Sequence, residues 1–291
     1  MRHPSNQTIG LYSRQMKALD PSFLDAIITT IQNVGCSIVA CEKINTHPRF
    51  TIQPLEEMVG SCDLILSIGG DGTLLDVAQT AIGRTVAVLG IHKGTIGFLT
   101  DLTAQNMNLE LTKILIGKGK IEPRRVLIAR YHTSQSRICR AFNEVLVKAT
   151  TQSLLQLDCW VDDVWVCHYR ADGLILATAS GSTAYALSAG GAIVHPQLES
   201  ISLVPLNPHN LSSRAVILPC KSQVRLKLTC AKAIAELYTD GRQVDRLDHG
   251  SELTISYETD AVHLAHPEQY NFFNALTSKL HWEHKPYAQT P

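Results

Sequence analysis

The chain has 291 residues, 45% hydrophobic and 18% charged, a composition that excludes an intrinsically disordered protein and predicts about two globular domains. Its formal net charge is zero at pH 7, which excludes a global electrostatic footprint for nucleic acid or an anionic membrane surface. No apolar run approaches the roughly 20 residues of a membrane helix, and the first residues lack a signal-peptide core, so we expect a cytoplasmic protein.

The first part of the chain alternates predicted strands with predicted helices. Helical periodicity marks Pro21 to Val34, and short apolar runs predict strands at 7–13, 36–41, 64–68 and 85–91. Several short apolar strands separated by helices are typical of a doubly wound, mostly parallel sheet. We therefore expect an α/β domain over residues 1–122.

The strand at 64–68 ends in the turn Gly-Gly-Asp-Gly-Thr, and a helical pattern follows it. Open α/β sheets bind ligands at this position, at the carboxyl end of a strand and in front of a helix. Glycine lets a backbone approach a ligand closely, which leaves Asp71 as the reactive side chain of the turn. The same residues also fit a plain turn in which Asp71 or Thr73 caps the helix.

The pattern changes after about residue 122. Residues 224–230 and 252–258 alternate apolar and polar side chains, which predicts antiparallel strands with one solvated face. The segments Val-Asp-Asp-Val and Thr-Asp-Gly-Arg are typical of hairpin turns. Residues 123–267 are therefore predicted to form a β-rich domain.

The chain ends with a second amphipathic pattern. After Pro267, apolar residues recur at helical spacing at Tyr270, Phe273, Leu276 and Leu280. Such a helix must cover an apolar surface, and we expect it to pack back on the first domain. Residues 268–291 are assigned to that domain.

A second glycine-rich segment occupies residues 172–191, "DGLILATASGSTAYALSAGG". An apolar strand over 174–176 enters a loop of small residues, and a helix is predicted from about Thr183 to the Gly190-Gly191 pair. The loop offers hydroxyl groups and an unobstructed glycine amide, which suits a polar ligand such as a nucleotide. A hydroxyl-rich helix start is also a common helix cap.

The eight cysteines include no Cys-x-x-Cys pair and mostly lie in apolar runs. We predict buried thiols, and we expect no metal ion to be held by protein ligands.

Two familiar nucleotide motifs are missing. The sequence contains no G-x-x-x-x-G-K-[ST] and no G-x-G-x-x-G after its first strand, which argues against a P-loop phosphotransferase and a nicotinamide-dependent dehydrogenase. Asp71 in a glycine-rich turn instead suits general-base activation of a hydroxyl group beside a polyphosphate.

Five segments together resemble bacterial NAD kinases in their order and spacing. They are "GGDGTLL" (69–75), "GTIGFLTDL" (94–102), "NEVLV" (143–147), "DGLILATASGSTAYALSAGG" (172–191) and "HNLSSRAVILP" (209–219). The resemblance extends to the C-terminal "HPEQYNFFNALTSKLHW". The glycine-aspartate turn also occurs in lipid kinases and phosphofructokinases, whereas "GSTAY" followed by "SAGG" is more selective.

The resemblance implies transfer of the γ-phosphoryl group of ATP to the 2′-hydroxyl of the adenosine ribose of NAD, giving NADP. It implies Mg²⁺ or another divalent metal with ATP, and a homo-oligomer, either a dimer or a tetramer. It makes Asp71 the general base and assigns the phosphate path to Gly69, Gly70, Gly72 and Thr73. It assigns NAD binding to Asp71, Gly72, Asn143, Glu144, Asp172, Thr183, Ala184 and Tyr185, with Asp172 toward the nicotinamide.

The matched residues also allow ordinary structural roles. Asn143 and Glu144 fit an exposed strand end, Tyr185 a core aromatic, and Asp172 half of an Asp-Gly turn. Two departures from the family pattern, His92 for Asn and Arg242 for Gln, bring polar or charged groups near the predicted nucleotide path. The competing hypotheses are a lipid or sugar kinase that shares only the glycine-aspartate turn, and a non-catalytic NAD-binding regulator.

Overall fold

The computed structural model describes residues 6–14, 20–44, 50–92, 97–132, 135–150, 154–229 and 235–282. The chain divides into two compact units, of which the first comprises Met1–Pro123 with Val262–Pro291 and the second Arg124–Ala261. No helix within the described ranges combines the length and apolar character that crossing a membrane requires.

The first unit is built on a parallel sheet. Its strands are β1 (Thr8–Tyr12), β2 (Ser37–Ala40), β3 (Thr51–Ile52), β4 (Leu64–Ile68), β5 (Ala87–His92) and β6 (Leu102–Thr103). They pair in parallel in the order β5-β4-β1-β2-β3, with β6 also beside β5. Every residue of β4 is buried, as a strand covered on both faces requires. The predicted α/β fold is confirmed.

Helices connect these strands. They are α1 (Pro21–Val34), α2 (Leu55–Ser61), α3 (Asp71–Thr80) and α4 (Met107–Lys113), and α4 continues into a π-helical turn at Ile114–Lys118. The Asp20 side chain accepts a hydrogen bond from the Ser22 N–H at the start of α1, and Gly35 ends the helix at a φ of 86°. Both ends of α1 therefore follow from standard capping preferences.

The second unit is predominantly antiparallel. Its strands are β7 (Lys120–His132), β8 (Ser136–Ala141), β9 (Glu144–Ala149), β10 (Leu155–Val161), β11 (Val164–Ala171), β12 (Gly173–Ala177), β13 (Ser200–Leu206), β14 (Val216–Pro219), β15 (Val224–Leu228), β16 (Ala235–Thr239), β17 (Arg242–Leu247) and β18 (Glu252–His266). The first residues of β7 and the last of β18 belong to the first unit, where β18 pairs with β5.

Two sheets of the second unit pack face to face. One has the order β14-β13-β12-β9-β16-β17, and the other contains β11-β10-β15-β18. Their inner faces share one apolar core that includes Val145, Leu176, Leu226 and Ile255. The two predicted hairpin turns are present: Asp162 and Asp163 adopt positive φ between β10 and β11, and Asp240 and Gly241 do so between β16 and β17.

The C-terminal helix α6 (Phe272–Leu280) is present in the first unit, but its predicted apolar face was correct at Leu276 and wrong at Tyr270 and Phe273. Asn271 caps the helix through the Phe273 N–H, so the helix begins at Phe272 and Tyr270 precedes it. The buried face comprises Phe272, Ala275 and Leu276, whereas 58% of Phe273 is exposed.

The helix predicted from about Thr183 was also wrong in length. Residues Ser180–Thr183 form a 3-10 turn, Ala184 interrupts the helical backbone at φ −95° and ψ −133°, and α5 (Tyr185–Ser188) is a single turn. The Ser182 hydroxyl donates to the Ala179 carbonyl and accepts the Val194 N–H, so it ties the turn to a neighbouring loop.

Candidate active site

The Gly-Gly-Asp-Gly-Thr turn links β4 to α3 in the first unit. Helix α3 begins at Asp71 with Gly70 as its N-cap, and no side-chain cap hydrogen bond is made there among the described residues, so the structure does not support the plain capping role for Asp71 or Thr73. A Cβ at Gly69 would lie 2.4 Å from Thr73 Oγ1. The close packing of the buried Thr73 on Gly69 therefore requires glycine at that position.

The Asp71 carboxylate is held by the backbone of a second segment. Its Oδ2 accepts the Phe98 N–H at 2.9 Å and its Oδ1 accepts the Leu99 N–H at 3.2 Å. A Cβ at Gly97 would lie 1.8 Å from Asp71 Oδ1, so only glycine leaves room for the carboxylate. Two hydrogen bonds use about half of the acceptor positions of a carboxylate, and the half-buried Asp71 retains capacity for a substrate hydroxyl.

The segment around Gly97 is itself fixed. The Gly97 N–H donates to the buried Thr100 Oγ1 at 2.8 Å, and the Asp101 N–H donates to the Gly90 carbonyl of β5. This segment belongs to the motif at 94–102, whose residues 94–96 lie outside the described ranges. That this backbone would hold Asp71 was not predictable from the sequence, because a backbone amide donor has no side-chain signature.

Two basic side chains flank the turn. An added Cβ at Gly72 would lie 3.1 Å from Arg14 Nη1, and one at Gly70 would lie 3.5 Å from His92 Nε2. Arg14 follows β1 and His92 ends β5, so both lie at the carboxyl ends of strands neighbouring β4. Sequence reasoning missed Arg14, although its position just after a strand was a usable signal.

Asn143 and Glu144 lie at the start of β9 in the second unit and are both buried. The Asp240 carboxylate accepts the backbone N–H groups of Phe142, Asn143 and Glu144 at 2.8, 2.6 and 3.0 Å. Asp240 was predicted only as part of a hairpin turn, yet it fixes this backbone. The burial of Asn143 and Glu144 contradicts the alternative of an exposed strand end.

The loop after β12 packs directly against Asn143. The Thr178 N–H donates to the Asn143 carbonyl at 2.8 Å, and a Cβ at Gly181 would lie 2.0 Å from that carbonyl oxygen. The Thr178 hydroxyl donates to the Phe142 carbonyl and accepts the Gly181 N–H. The structure therefore brings the "NEVLV" and "GSTAY" segments together, and the contact requires glycine at 181.

Two buried oxygen atoms of this pair lack a protein partner. Asn143 Oδ1 and Glu144 Oε2 make no hydrogen bond to the described residues. Burial, followed in size by repulsion from Asp240, raises the pKa of Glu144 to about 8. Glu144 is therefore largely protonated at neutral pH and can donate as well as accept a hydrogen bond, and unsatisfied buried polar atoms of this kind suit a polar ligand.

The next three predicted residues lie just beyond this loop. The Thr183 hydroxyl donates to the Ser180 carbonyl at 3.2 Å, and Ala184 and Tyr185 enter α5. Because 42% of Tyr185 is exposed, the structure does not support its alternative role as a core aromatic.

Asp172 lies apart from these residues. It precedes Gly173 at one end of β12, whereas Glu144 pairs with Ala177 at the other end. Five strand residues at about 3.3 Å each separate the two positions by roughly 17 Å. Asp172 instead accepts a hydrogen bond from Asn207 Nδ2 at 2.9 Å.

Among the described residues, no group of three His, Cys, Asp or Glu side chains is arranged to hold a metal ion. The cysteines in the described ranges are all free, and those at 36, 41, 62, 139 and 159 are buried, while Cys230 lies outside those ranges.

Models of two protein-family domains match most of the chain. The ATP-NAD kinase N-terminal domain matches residues 17–119, and the ATP-NAD kinase C-terminal domain matches residues 142–266. The chain belongs to the ATP-NAD kinase family. The two matched ranges contain both glycine-rich segments and all the candidate site residues named above except Arg14.

Individual NAD kinases resemble the chain along most of its length. The NAD kinase of Thiobacillus denitrificans is 34% identical over 284 residues, which cover 96% of this chain and 98% of that protein. The NAD kinase of Photorhabdus laumondii is 38% identical over 234 residues, covering 79% and 80%.

Solved structures of kinases in this family share the fold. An NAD kinase from Archaeoglobus fulgidus in complex with ATP superposes with a TM-score of 0.76 at 25% identity, covering 93% of this chain and 98% of that one. Yeast NADH kinase complexed with NADH superposes with a TM-score of 0.83 at 24% identity, covering 98% and 90%. The second likeness supports the fold alone.

Proposed function

We propose that the protein transfers the γ-phosphoryl group of ATP to the 2′-hydroxyl of the adenosine ribose of NAD, giving NADP and ADP. Family membership supports the reaction. The observation that carries the mechanism is the Asp71 carboxylate, which two backbone N–H groups orient within the Gly-Gly-Asp turn. A fixed carboxylate beside a phosphate path is what activation of a hydroxyl nucleophile requires.

In the proposed mechanism, Asp71 accepts the proton of the 2′-hydroxyl. The ribose oxygen forms a bond to the γ-phosphorus, the bond from that phosphorus to the β,γ-bridging oxygen breaks, and ADP leaves. The turn residues Gly69, Gly70, Gly72 and Thr73 line the phosphate path. Glycines allow phosphate oxygens to approach the backbone N–H groups, which offset their negative charge.

Six of the proposed NAD-binding residues, those from Asn143 to Tyr185, lie in the second unit. The unsatisfied Asn143 Oδ1 and the protonated Glu144 match an adenosine, whose hydroxyl groups donate and accept hydrogen bonds and whose amino group donates them. Thr183, Ala184 and Tyr185 are proposed to surround the adenine. Asp172 keeps its proposed place toward the nicotinamide on the family resemblance alone.

The family resemblance supports three further proposals. A divalent metal such as Mg²⁺ would neutralise charge on the phosphate chain. The protein would be a cytoplasmic homo-oligomer, a dimer or a tetramer. Residues 1–122 with 268–291 would form the domain that carries the Gly-Gly-Asp turn, and residues 123–267 would form the NAD-binding domain.

The test of the reaction is conversion of NAD to NADP by the purified protein with ATP and Mg²⁺. An NADP-specific dehydrogenase reports the product and its 2′-phosphate together. We expect NADP in proportion to ADP released. Binding of NAD without NADP formation under any phosphoryl donor would contradict the proposal and favour the NAD-binding regulator.

A further inference from the structure

Arg14 is held beside the Gly-Gly-Asp turn by a carboxylate of the helix that follows the turn. Its Nε and Nη2 both bond the Asp76 carboxylate, which lies on α3 and is 8% exposed. The Tyr12 hydroxyl donates to the same carboxylate at 3.4 Å. A carboxylate that engages two N–H groups of a guanidinium fixes the plane and direction of the whole group.

The remaining nitrogen of the guanidinium faces the turn. Nη1 makes no hydrogen bond to the described residues, and it is the atom that lies 3.1 Å from the position of a Cβ at Gly72. The Arg14 side chain is 45% exposed. Two N–H donors and a delocalised positive charge are thus presented at the residue next to Asp71.

We propose that Arg14 binds the phosphate chain of the donor nucleotide, an assignment that rests on the proposed function of the turn. The guanidinium matches phosphate oxygens in geometry and charge, and Asp76 pre-orients it, so little side-chain entropy is lost on binding. A condensed phosphate chain occurs in both ATP and NAD. The position of Arg14 beside the turn that lines the proposed γ-phosphoryl path favours ATP.

The main competing role for Arg14 is a purely structural ion pair with Asp76. In that case its loss changes stability and leaves phosphate affinity unchanged. Arg14→Gln alone would leave the buried Asp76 without its cation, so the informative variant is Arg14→Gln combined with Asp76→Asn. Arg14→Lys keeps the charge without the planar pair of donors. Arg125→Gln is the matched control, because Arg125 forms an exposed ion pair with Glu199 in the second unit.

The experiment measures binding of inorganic tripolyphosphate and, separately, of NAD by calorimetry, with no turnover required. The double variant should bind tripolyphosphate about 10- to 100-fold more weakly, as expected for the loss of charge-assisted hydrogen bonds. Its dissociation constant for NAD should stay within about twofold of the wild-type value. The Arg14→Lys variant should lose less affinity for tripolyphosphate than the double variant does. Arg125→Gln should match the wild type.

Three results would overturn the assignment to the donor. The first is wild-type protein that does not bind tripolyphosphate. The second is a folded double variant that binds tripolyphosphate as tightly as the wild type does. The third is a double variant whose affinity for NAD falls at least as much as its affinity for tripolyphosphate. If the double variant fails to fold, the Arg14→Lys variant decides. An affinity for tripolyphosphate equal to that of the wild type overturns the proposal, and a weaker affinity supports it. Arg14-dependent tripolyphosphate binding in a protein that makes no NADP would leave this assignment standing and contradict only the proposed reaction.

Discussion

Glu144 is a carboxyl group whose charged form the fold disfavours. Its pKa rises from 4.5 to about 8 because it is buried beside Asp240, so the folded protein retains a proton that the unfolded chain releases. The contribution of Glu144 to the free energy of unfolding is largest below pH 4.5 and is lost as the pH rises to about 8. The same burial gives it the neutral form that can donate a hydrogen bond to a ligand.

Substitution Glu144→Gln should remove this pH dependence, since the amide cannot ionise. Between pH 4.5 and about 8, the free energy of unfolding of the wild type should fall relative to that of the variant. Denaturant titrations across this range measure the difference. Parallel curves for the two proteins would show that Glu144 ionises in the folded state as it does in water.

Gly97 is the residue that leaves space for the Asp71 carboxylate. In Gly97→Ala, the new methyl group would lie 1.8 Å from Asp71 Oδ1 and force the carboxylate or the loop to move. We expect turnover to fall by about 10²-fold, because a displaced base loses its alignment with the hydroxyl. Gly60→Ala on α2 is the control, since its Cβ meets nothing within 4 Å. Turnover of Gly97→Ala equal to that of the control would contradict the role of Asp71.

At the scale of single residues, the sequence predicted groups that carry their own chemical signature. Asp71 stood out in a glycine-rich turn, and the buried pair Asn143 and Glu144 came from the family resemblance. The partners that orient them were not predictable, because the donors at Phe98 and Leu99 are backbone amides. The role of Asp240 was not predicted, because the hairpin-turn motif already accounted for an aspartate at that position.

At the scale of elements, hydrophobic periodicity predicted the strands and helices that are covered by a large apolar surface. It succeeded for β4 and α1, whose apolar patterns match their buried faces. It failed near Thr183, where the Ser182 and Thr183 hydroxyl groups bond to backbone carbonyls and the helix is broken into two short turns. In α6 the cap at Asn271 set the helix phase, and the spacing of apolar residues alone did not reveal it.

The segment that precedes α6 contains a buried histidine, His266, which contacts several side chains of the first unit. His266 is 2% exposed, its Nδ1 contacts Asp101 Oδ2, its Nε2 lies 3.9 Å from Glu122 Oε2, and its ring stacks on Tyr270 at 3.9 Å. The substitution His266→Phe preserves the ring but leaves the Asp101 carboxylate without this partner. We expect a loss of about 3 kcal/mol in the free energy of unfolding. Denaturant titration beside the exposed-site control Glu268→Gln checks it, and equal stability of the two variants would contradict it.

At the scale of the whole molecule, the change from helical to alternating periodicity predicted an α/β part followed by a β-rich part. The return of the C-terminal helix to the α/β part was predicted from its amphipathic pattern, because such a helix needs an apolar surface to cover. The order of strands within each sheet was not predictable. It depends on long-range pairings such as β9 between β12 and β16, which leave no mark in the local sequence.

The role of Asp71 is tested by ATP-dependent formation of NADP by the wild type and by Asp71→Asn, with NAD binding measured on both proteins. Asparagine keeps the size of the side chain and removes its basicity. We expect turnover to fall by about 10²- to 10⁴-fold while the dissociation constant for NAD changes little. An Asp71→Asn protein that forms NADP at the wild-type rate would contradict the assignment of Asp71 as the base.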